Sequence, residues 1–279
     1  MAALTTPKVH MGTITGGEGR ELYAQNPIVL LPMGSHEDQG PHAPMGDYLL
    51  AEKLAELIAL RASTRGTRTV VAPVLAFGGA DYFGPMPGGI AITPATLTCV
   101  ITDMVASLHR NGLTRIVFIN GHGGNVGPIG EVAREVYRRT KMVMPSLYLW
   151  RIGYGLLGGI VGADQAKKVS GHGADPVTST AMHLFPELIR TDMIPDGKPL
   201  KRSTELDLPF TALGAGSFEG IEVGLPQEYD EIYHAGVGGG DPRLSSAKTG
   251  AELTEQLVDR CARFVAHFAT RTPAKTSRG

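Results

Sequence analysis

The chain has 279 residues, of which 42% are hydrophobic and 19% are charged, and this ordinary balance excludes disordered and fibrous classes. Lysine and arginine total 26 against 27 aspartate and glutamate residues, so the chain lacks the broad basic field that nucleic-acid binding requires. The sequence contains no apolar run of about twenty residues and no signal-peptide pattern, and its two cysteines suit a reducing compartment, so we expect a cytoplasmic protein that spans no membrane.

Strand and helix patterns alternate over the first 150 residues. Short apolar runs predict four strands, at 27–33, 69–75, 115–120 and 143–150. Helices are predicted between them, at about 48–62, 94–111 and 128–140. This alternation is typical of right-handed βαβ crossovers, which predicts an α/β fold with a mostly parallel central sheet covered by helices on both faces. Ligands of such sheets bind beyond the carboxyl ends of the strands.

The pattern becomes less regular after Trp150. We predict a glycine-rich loop, a short helix at about 178–184, and a long irregular stretch at about 195–240 whose length suggests a lid or a subunit contact. An amphipathic helix is predicted at about 246–268, followed by a frayed tail from about residue 270. The chain length favours one domain spanning residues 1–279.

The loop after the first predicted strand is rich in side chains that bind metals. Residues 34–47 read GSHEDQGPHAPMGD and contain two histidines and three carboxylates. A divalent cation would compensate this charge, because carboxylate and imidazole together suit zinc, manganese or iron. A solvated polar loop is the alternative interpretation of the composition.

Two further histidines stand in motifs of similar character. The third predicted strand ends in NGHGGN (120–125), which places His122 at the same edge of the sheet as the first loop. The motif SGHGADPVTS (170–179) places His172 and Asp175 just before a predicted helix. Capping of that helix by Asp175 or Thr178, with an incidental histidine, is the competing interpretation.

Together these motifs resemble the creatininase (creatinine amidohydrolase) family. LPMGSHEDQGPHAPMGD is similar to the first loop of the family, NGHGGN matches its third-strand motif, and weaker similarities follow at GHGADPVTS and GVGGGDPRLSSAKTG. The resemblance covers most of the chain. It implies a three-layer α/β/α sandwich, a homo-oligomer that is commonly a hexamer, and one or two divalent metals that hydrolyse C–N bonds of small molecules, often cyclic amides.

The resemblance implies that Glu37, Asp47 and His122 bind one metal ion. The second metal site of the family is incomplete, because its histidine falls on Gln39, which offers only a neutral carbonyl, and its acidic ligand falls on Gly124. We therefore expect one tightly held cation, zinc with manganese or iron as alternatives, and at most a weak second one through Gln39. Replacement ligands for that second site would have to come from His36, Asp38 or Asp175.

The expected mechanism starts with water whose pKa is lowered by the metal, and which attacks a substrate carbonyl. Donors at Gly123 and Gly124 would stabilise the oxyanion, while His172 delivers a proton to the departing atom. Asp175 could take over an acidic role, because a glutamate of the family is missing after it, and His42 could orient the ligands or touch the substrate.

Substrate selection is assigned to the segment 78–92, where Asp81, Tyr82 and Phe83 are candidates for substrate contact. Three functions are consistent with the sequence. The first is hydrolysis of a C–N bond in a cyclic or linear amide. The second is hydrolysis of a C–C bond beside a ketone in a polyhydroxylated ring, as in relatives that act in inositol breakdown. The third is a non-catalytic binding or scaffold protein.

Overall fold

The computed structural model describes residues 7–79, 83–195, 206–212, 214–232 and 236–271. The first elements are α1 (Gly16–Tyr23), β1 (Ile28–Met33), α2 (Asp47–Thr64), β2 (Thr69–Val71), α3 (Pro94–Arg110), β3 (Ile116–Asn120), α4 (Val126–Thr140) and β4 (Ser146–Tyr148). The predicted alternation of strands and helices is confirmed, with α1 as an addition. β2 and β4 are shorter than the apolar runs that predicted them.

The four strands form a parallel sheet in the order β2-β1-β3-β4. The central strands β1 and β3 are buried along their whole length. Val29 pairs with Ile116, and Met33 pairs with Asn120, so both strands end at the same level. The loops that follow β1 and β3 therefore begin side by side at the carboxyl edge of the sheet.

Two helices follow the sheet where the sequence predicted a glycine-rich loop, so that prediction is wrong. The remaining elements are α5 (Leu149–Val161), α6 (Ala163–Val169), α7 (Val177–Leu184), β5 (Phe210–Ala212), β6 (Ala215–Phe218), β7 (Ile221–Gly224), α8 (Tyr229–Ile232) and α9 (Ala247–Ala269). Glycine disfavours a helix interior. In α5, however, Leu149, Trp150 and Leu157 are buried in the core, and this packing outweighs the low propensity.

The stretch predicted to be irregular contains a small antiparallel sheet in the order β5-β6-β7. The prediction of irregular structure is therefore wrong for residues 210–212, 215–218 and 221–224. Residues 196–205, 213 and 233–235 of the same stretch lie outside the described residues, as do residues 272–279 of the predicted tail.

The parallel sheet has a hydrophobic layer on each face. Because strand side chains alternate in direction, Ile28 and Leu30 of β1 pack with α2, α5, α7 and α9, whereas Val29 and Leu31 pack with α1, α3 and α4. This arrangement confirms the predicted three-layer α/β/α fold. Among the described residues, no helix combines the length and the apolarity needed to cross a membrane.

Candidate metal centre

Three side chains predicted as metal ligands come together at the carboxyl edge of the sheet. Glu37 lies in the loop after β1, Asp47 is the first residue of α2, and His122 follows β3. Their ligand atoms all lie within 4.8 Å of one another. The Nδ1 atom of His122 is 3.0 Å from Glu37 Oε2 and 3.2 Å from Asp47 Oδ2. Glu37 and Asp47 are 2% exposed and His122 is 4% exposed, so the cluster is shielded from water.

The start of α2 fixes the direction of the Asp47 carboxylate. The backbone N–H of Ser35 donates a hydrogen bond of 2.6 Å to Asp47 Oδ1, which leaves Oδ2 facing His122. Gly34 makes this approach possible, because a side chain at that position would overlap Asp47 and the backbone of Tyr48. A carboxylate in the first turn is also favoured by the helix dipole.

Burial and mutual charge shift the pKa of each of the three groups. Burial, together with the Glu37 carboxylate, raises the pKa of Asp47 to about 7. Burial opposes the charge on His122, but the two carboxylates outweigh it and raise the pKa of His122 well above its ordinary value. Against its own burial, Glu37 has its pKa lowered by the charge on His122. The cluster therefore retains protons that a cation would displace.

The donor atoms of this cluster fit a divalent cation. Glu37 Oε2 is buried and makes no hydrogen bond within the described residues, although its distance to His122 Nδ1 is short. No lysine or arginine occurs among the described residues that line the surrounding cavity, so the buried carboxylates have no permanent positive charge beside them. Two carboxylates and one imidazole suit zinc, manganese or iron.

Two buried asparagines fasten the loops that carry these ligands. Asn120 accepts a hydrogen bond of 3.0 Å from the backbone N–H of His122 and donates one of 2.7 Å to its carbonyl. Asn125 donates to the Gly34 carbonyl and accepts from the Gly79 N–H, both at 3.1 Å. The loops after β1, β2 and β3 are thereby held together. Sequence reasoning assigned no role to these asparagines, although they bracket His122 in the NGHGGN motif.

The two residues expected at a second metal site contribute little to it. The Gln39 Nε2 donates a hydrogen bond of 2.7 Å to Glu37 Oε1, while its Oε1 is buried without a partner in the described part of the chain. Gly124 has no space for a side chain, because a Cβ there would overlap the carbonyl oxygen of Gly79. The loop after β2 therefore leaves no space for an acidic side chain at position 124.

The replacement ligands considered for a second site do not assemble one. His36 Nδ1 lies 2.6 Å from the carbonyl of Met45, and Asp38 accepts a hydrogen bond from the Gly40 N–H at 2.7 Å. Among the described histidine, cysteine, aspartate and glutamate residues, the only group of three or more that could hold a metal ion is Glu37, Asp47 and His122.

His172 lies in the same cavity as the three ligands. Its Nε2 is 2.6 Å from the backbone carbonyl of Asp38, and because a carbonyl only accepts, Nε2 carries the hydrogen and Nδ1 is the acceptor of the ring. The ring stacks on Phe83 and meets the edge of Tyr229, each at a centroid distance of 4.7 Å. Burial lowers the pKa of His172, so the imidazole is neutral at pH 7.

Two residues predicted to be catalytic lie elsewhere: neither His42 nor Asp175 is among the described residues that line the cavity. His42 is 1% exposed and its Nε2 is 3.2 Å from Thr178 Oγ1. Asp175 accepts hydrogen bonds from the Ser179 N–H and hydroxyl and from the Ser245 hydroxyl, at 2.7 to 3.0 Å. These contacts join the start of α7 to the segment before α9. Because Asp175 accepts a backbone N–H from the first turn of α7, its contacts agree with the interpretation of the motif as a helix cap.

The cavity above the ligands has a volume of about 1080 Å³. Gly123 and Gly124, for which the sequence predicts substrate contact, line this cavity, whereas Asp81 and Tyr82 lie outside the described residues. Sequence reasoning left several lining residues without a functional assignment. Examples are Tyr148, Gln227 and Tyr229. The last two come from a segment with no recognisable motif.

Comparison with known proteins places the chain in a family. The sequence model of Creatininase: Creatinine amidohydrolase matches residues 13–265. The chain is 27% identical over 255 residues to a mycofactocin precursor peptide peptidase of Mycolicibacterium smegmatis, with 90% of this chain and 88% of that protein covered. It is 26% identical over 285 residues to a 3-dehydro-scyllo-inosose hydrolase of Thermotoga maritima, with 95% and 85% covered.

Solved structures show the same fold. A creatinine amidohydrolase (creatininase) superposes with a TM-score of 0.75 at 22% identity, covering 95% of this chain and 99% of that one. A creatininase variant described as the Zn-Zn type superposes with a TM-score of 0.75 at 21% identity, covering 95% and 100%. Since the family model covers nearly the whole chain, and the fold agrees, the protein belongs to the creatininase (creatinine amidohydrolase) family.

Proposed function

We propose that the protein is a metal-dependent hydrolase that cleaves a C–N bond of a cyclic or linear amide. The observation that carries the proposal is the buried convergence of Glu37, Asp47 and His122 within 4.8 Å. These residues would hold one divalent cation, with zinc as the first choice and manganese or iron as alternatives. When bound, the cation would supply a water molecule of lowered pKa and polarise the substrate carbonyl.

His172 is proposed to move the proton. Its neutral ring offers Nδ1 as an acceptor, because Nε2–H is engaged by the Asp38 carbonyl. In hydrolysis, water adds to the carbonyl carbon and releases a proton, which His172 can accept. The C–N bond then breaks, and the same proton passes from His172 to the departing nitrogen. Contact with Phe83 and Tyr229 holds the ring in place during both transfers.

The negative charge that develops on the carbonyl oxygen needs donors, and two features of the cavity could provide them. Gly123 lies in the turn after His122, where the absence of a side chain exposes the backbone to a substrate. The Tyr148 hydroxyl lies beside Gly123, 3.2 Å from where a Cβ would stand. Burial raises the pKa of Tyr148, so the hydroxyl keeps its proton and can donate it in a hydrogen bond.

Hydrolysis of a C–C bond beside a ketone in a polyhydroxylated ring is the second candidate. A relative named as a 3-dehydro-scyllo-inosose hydrolase aligns with 95% of this chain. The cavity offers no permanent positive charge to an anionic substrate of either kind, because no lysine or arginine lines its described part. Attack by water on a carbonyl serves both reactions, so Glu37, Asp47 and His122 do not distinguish them.

The test combines metal analysis with a substrate screen. Zinc, manganese and iron are measured per chain after gentle purification, and the metal-loaded protein is then incubated with cyclic amides, linear amides and cyclic polyol ketones, with products identified by mass. About one equivalent of metal and a new amine product support the proposal. Cleavage of the polyol ketones alone favours the second candidate. Less than about half an equivalent of metal without turnover favours a scaffold protein.

A further inference from the structure

The segment 225–229 contains three buried side chains at alternate positions. Leu225, Gln227 and Tyr229 are buried, while the two residues between them are exposed. The chain is not extended here, because the Gln227 N–H donates a hydrogen bond of 3.0 Å to the Leu225 carbonyl and α8 begins at Tyr229. Leu225 and Tyr229 each belong to a small apolar cluster. The carboxamide of Gln227 therefore lies between two buried side chains, each of which packs in an apolar cluster.

The carboxamide of Gln227 is buried without partners. The residue is 4% exposed, and neither Nε2 nor Oε1 makes a hydrogen bond within the described part of the chain. Leaving a buried donor or acceptor unpaired costs free energy, and here both atoms of one side chain carry that cost. Buried polar groups are nearly always paired, so an exception on the wall of a cavity indicates a group whose partner is a ligand.

The position of Gln227 connects it to the reaction site. Gln227 lines the same cavity as Glu37 and His172. Tyr229, two positions further along, is in ring contact with His172 at 4.7 Å, so the segment is fastened to the wall that carries the imidazole. The cavity that holds the metal ligands therefore extends to Gln227.

We propose that Gln227 recognises a second amide of the substrate, one that is not cleaved. This inference rests on the proposed function and names the substrate class more closely. A carboxamide presents a donor and an acceptor side by side in one plane, and its complement is another amide with N–H and C=O on the same side, as in a lactam or a terminal carboxamide. A carboxylate or phosphate has no donor for Oε1 and meets no lysine or arginine in the described lining.

The first test measures stability without any ligand. Gln227→Met keeps the length of the side chain and removes its unpaired polar atoms. We expect the melting temperature of the variant to exceed that of the wild type by about 2 °C or more, because the wild type carries the cost of its unpaired amide. Gln25→Met, at an exposed position after α1, is the matched control and should leave the melting temperature unchanged. A lower melting temperature for Gln227→Met would show that the amide has a partner within the fold and would overturn the inference.

The second test measures binding to zinc-loaded protein by calorimetry, with two probes of the same ring size. The six-membered ring 2,5-diketopiperazine contains two lactam amides, whereas 2-piperidone contains one. We expect the wild type to bind the first about tenfold more tightly or better, and Gln227→Met to lose that preference while its affinity for 2-piperidone stays unchanged. Equal affinities in the wild type, or an undiminished preference in the variant, would overturn the inference.

The two proposals fail in different ways. If Gln227→Met keeps zinc and hydrolyses every amide as the wild type does, the hydrolase assignment stands and the role of Gln227 falls. If zinc-loaded wild type prefers the two-amide ring but hydrolyses no amide, the recognition role stands and the hydrolase assignment falls.

Discussion

Gly124 packs against the carbonyl oxygen of Gly79 with no space for a side chain at position 124. Gly124→Ala should therefore destabilise the protein by about 1–3 kcal/mol, since the Gly79 loop must move to admit the new methyl group. Gly127→Ala, where a Cβ would meet nothing within 4 Å in α4, is the matched control. It should be neutral or stabilising by up to about 1 kcal/mol. Urea unfolding measures both, and equal stability of the two variants would contradict the crowded packing.

Removing either of two ligands should abolish metal binding without unfolding the protein. We expect Glu37→Gln and His122→Ala to lose bound zinc and to reduce kcat/KM by more than about 100-fold, because each removes one of three donors to the cation. Glu131→Gln, at an exposed position of α4, should retain both. Elemental analysis and circular dichroism are the measurements. Full zinc content in Glu37→Gln would remove Glu37 from the site.

Metal affinity should fall steeply as the pH is lowered below 7. The pKa of Asp47 is raised to about 7 and that of His122 lies well above its ordinary value, so a cation must displace protons from both groups. We expect the apparent affinity for zinc to drop about tenfold or more per pH unit between pH 7 and 5.5. Competition with a chromophoric chelator measures it, and an affinity that does not change with pH would show that the ligands are already deprotonated.

The raised pKa of Asp47 also affects the stability of the metal-free protein. Whereas metal affinity rises with pH, this contribution to stability falls with pH. Between the unfolded pKa of 3.8 and the folded value of about 7, the native state binds more protons at Asp47 than the unfolded chain does. This contribution therefore makes unfolding easier as the pH rises through that window. Melting temperatures in the presence of a chelator should decrease from pH 5 to pH 7, and the gain on adding zinc should increase. Asp47→Asn should remove most of the decrease.

Asp175 should contribute to stability and not to the reaction. Its carboxylate accepts three hydrogen bonds that connect α7 with the segment before α9, so Asp175→Ala should cost about 2–4 kcal/mol while zinc content remains at the wild-type level. Asp164→Ala, whose side chain is 96% exposed, is the control. A folded Asp175→Ala protein of normal stability that has lost turnover would instead restore the catalytic assignment.

The strands, the helices around them and the metal-binding cluster were accessible from sequence because their signals are local. β1 and β3 are continuous apolar runs, and Glu37, Asp47 and His122 stand in dense motifs directly after them. Helix α5 was not predicted, because its glycines are typical of a loop. Packing of Leu149 and Leu157 into the core stabilises it as a helix.

The antiparallel sheet and the position of Gln227 in the cavity were not predicted from the sequence, for a different reason. β5, β6 and β7 are three to four residues long, too short for a periodic signal. Gln227 has no motif of its own, and the role proposed for it follows from side-chain atoms that lack partners among the described residues. The sequence also offers no means to assign different roles to His172 and Asp175, which stand three positions apart in one motif. His172 lines the cavity, whereas the Asp175 carboxylate is hydrogen-bonded to Ser179 of α7.

The ligands stand on the loops after β1 and β3, two strands that are neighbours in the sheet but distant along the chain. During synthesis, Glu37 and Asp47 leave the ribosome long before His122, so a nascent chain at that stage holds only two of the three residues that form the cluster. The complete donor set exists once β1 and β3 have paired. A cation would therefore find its full set of ligands only late in folding.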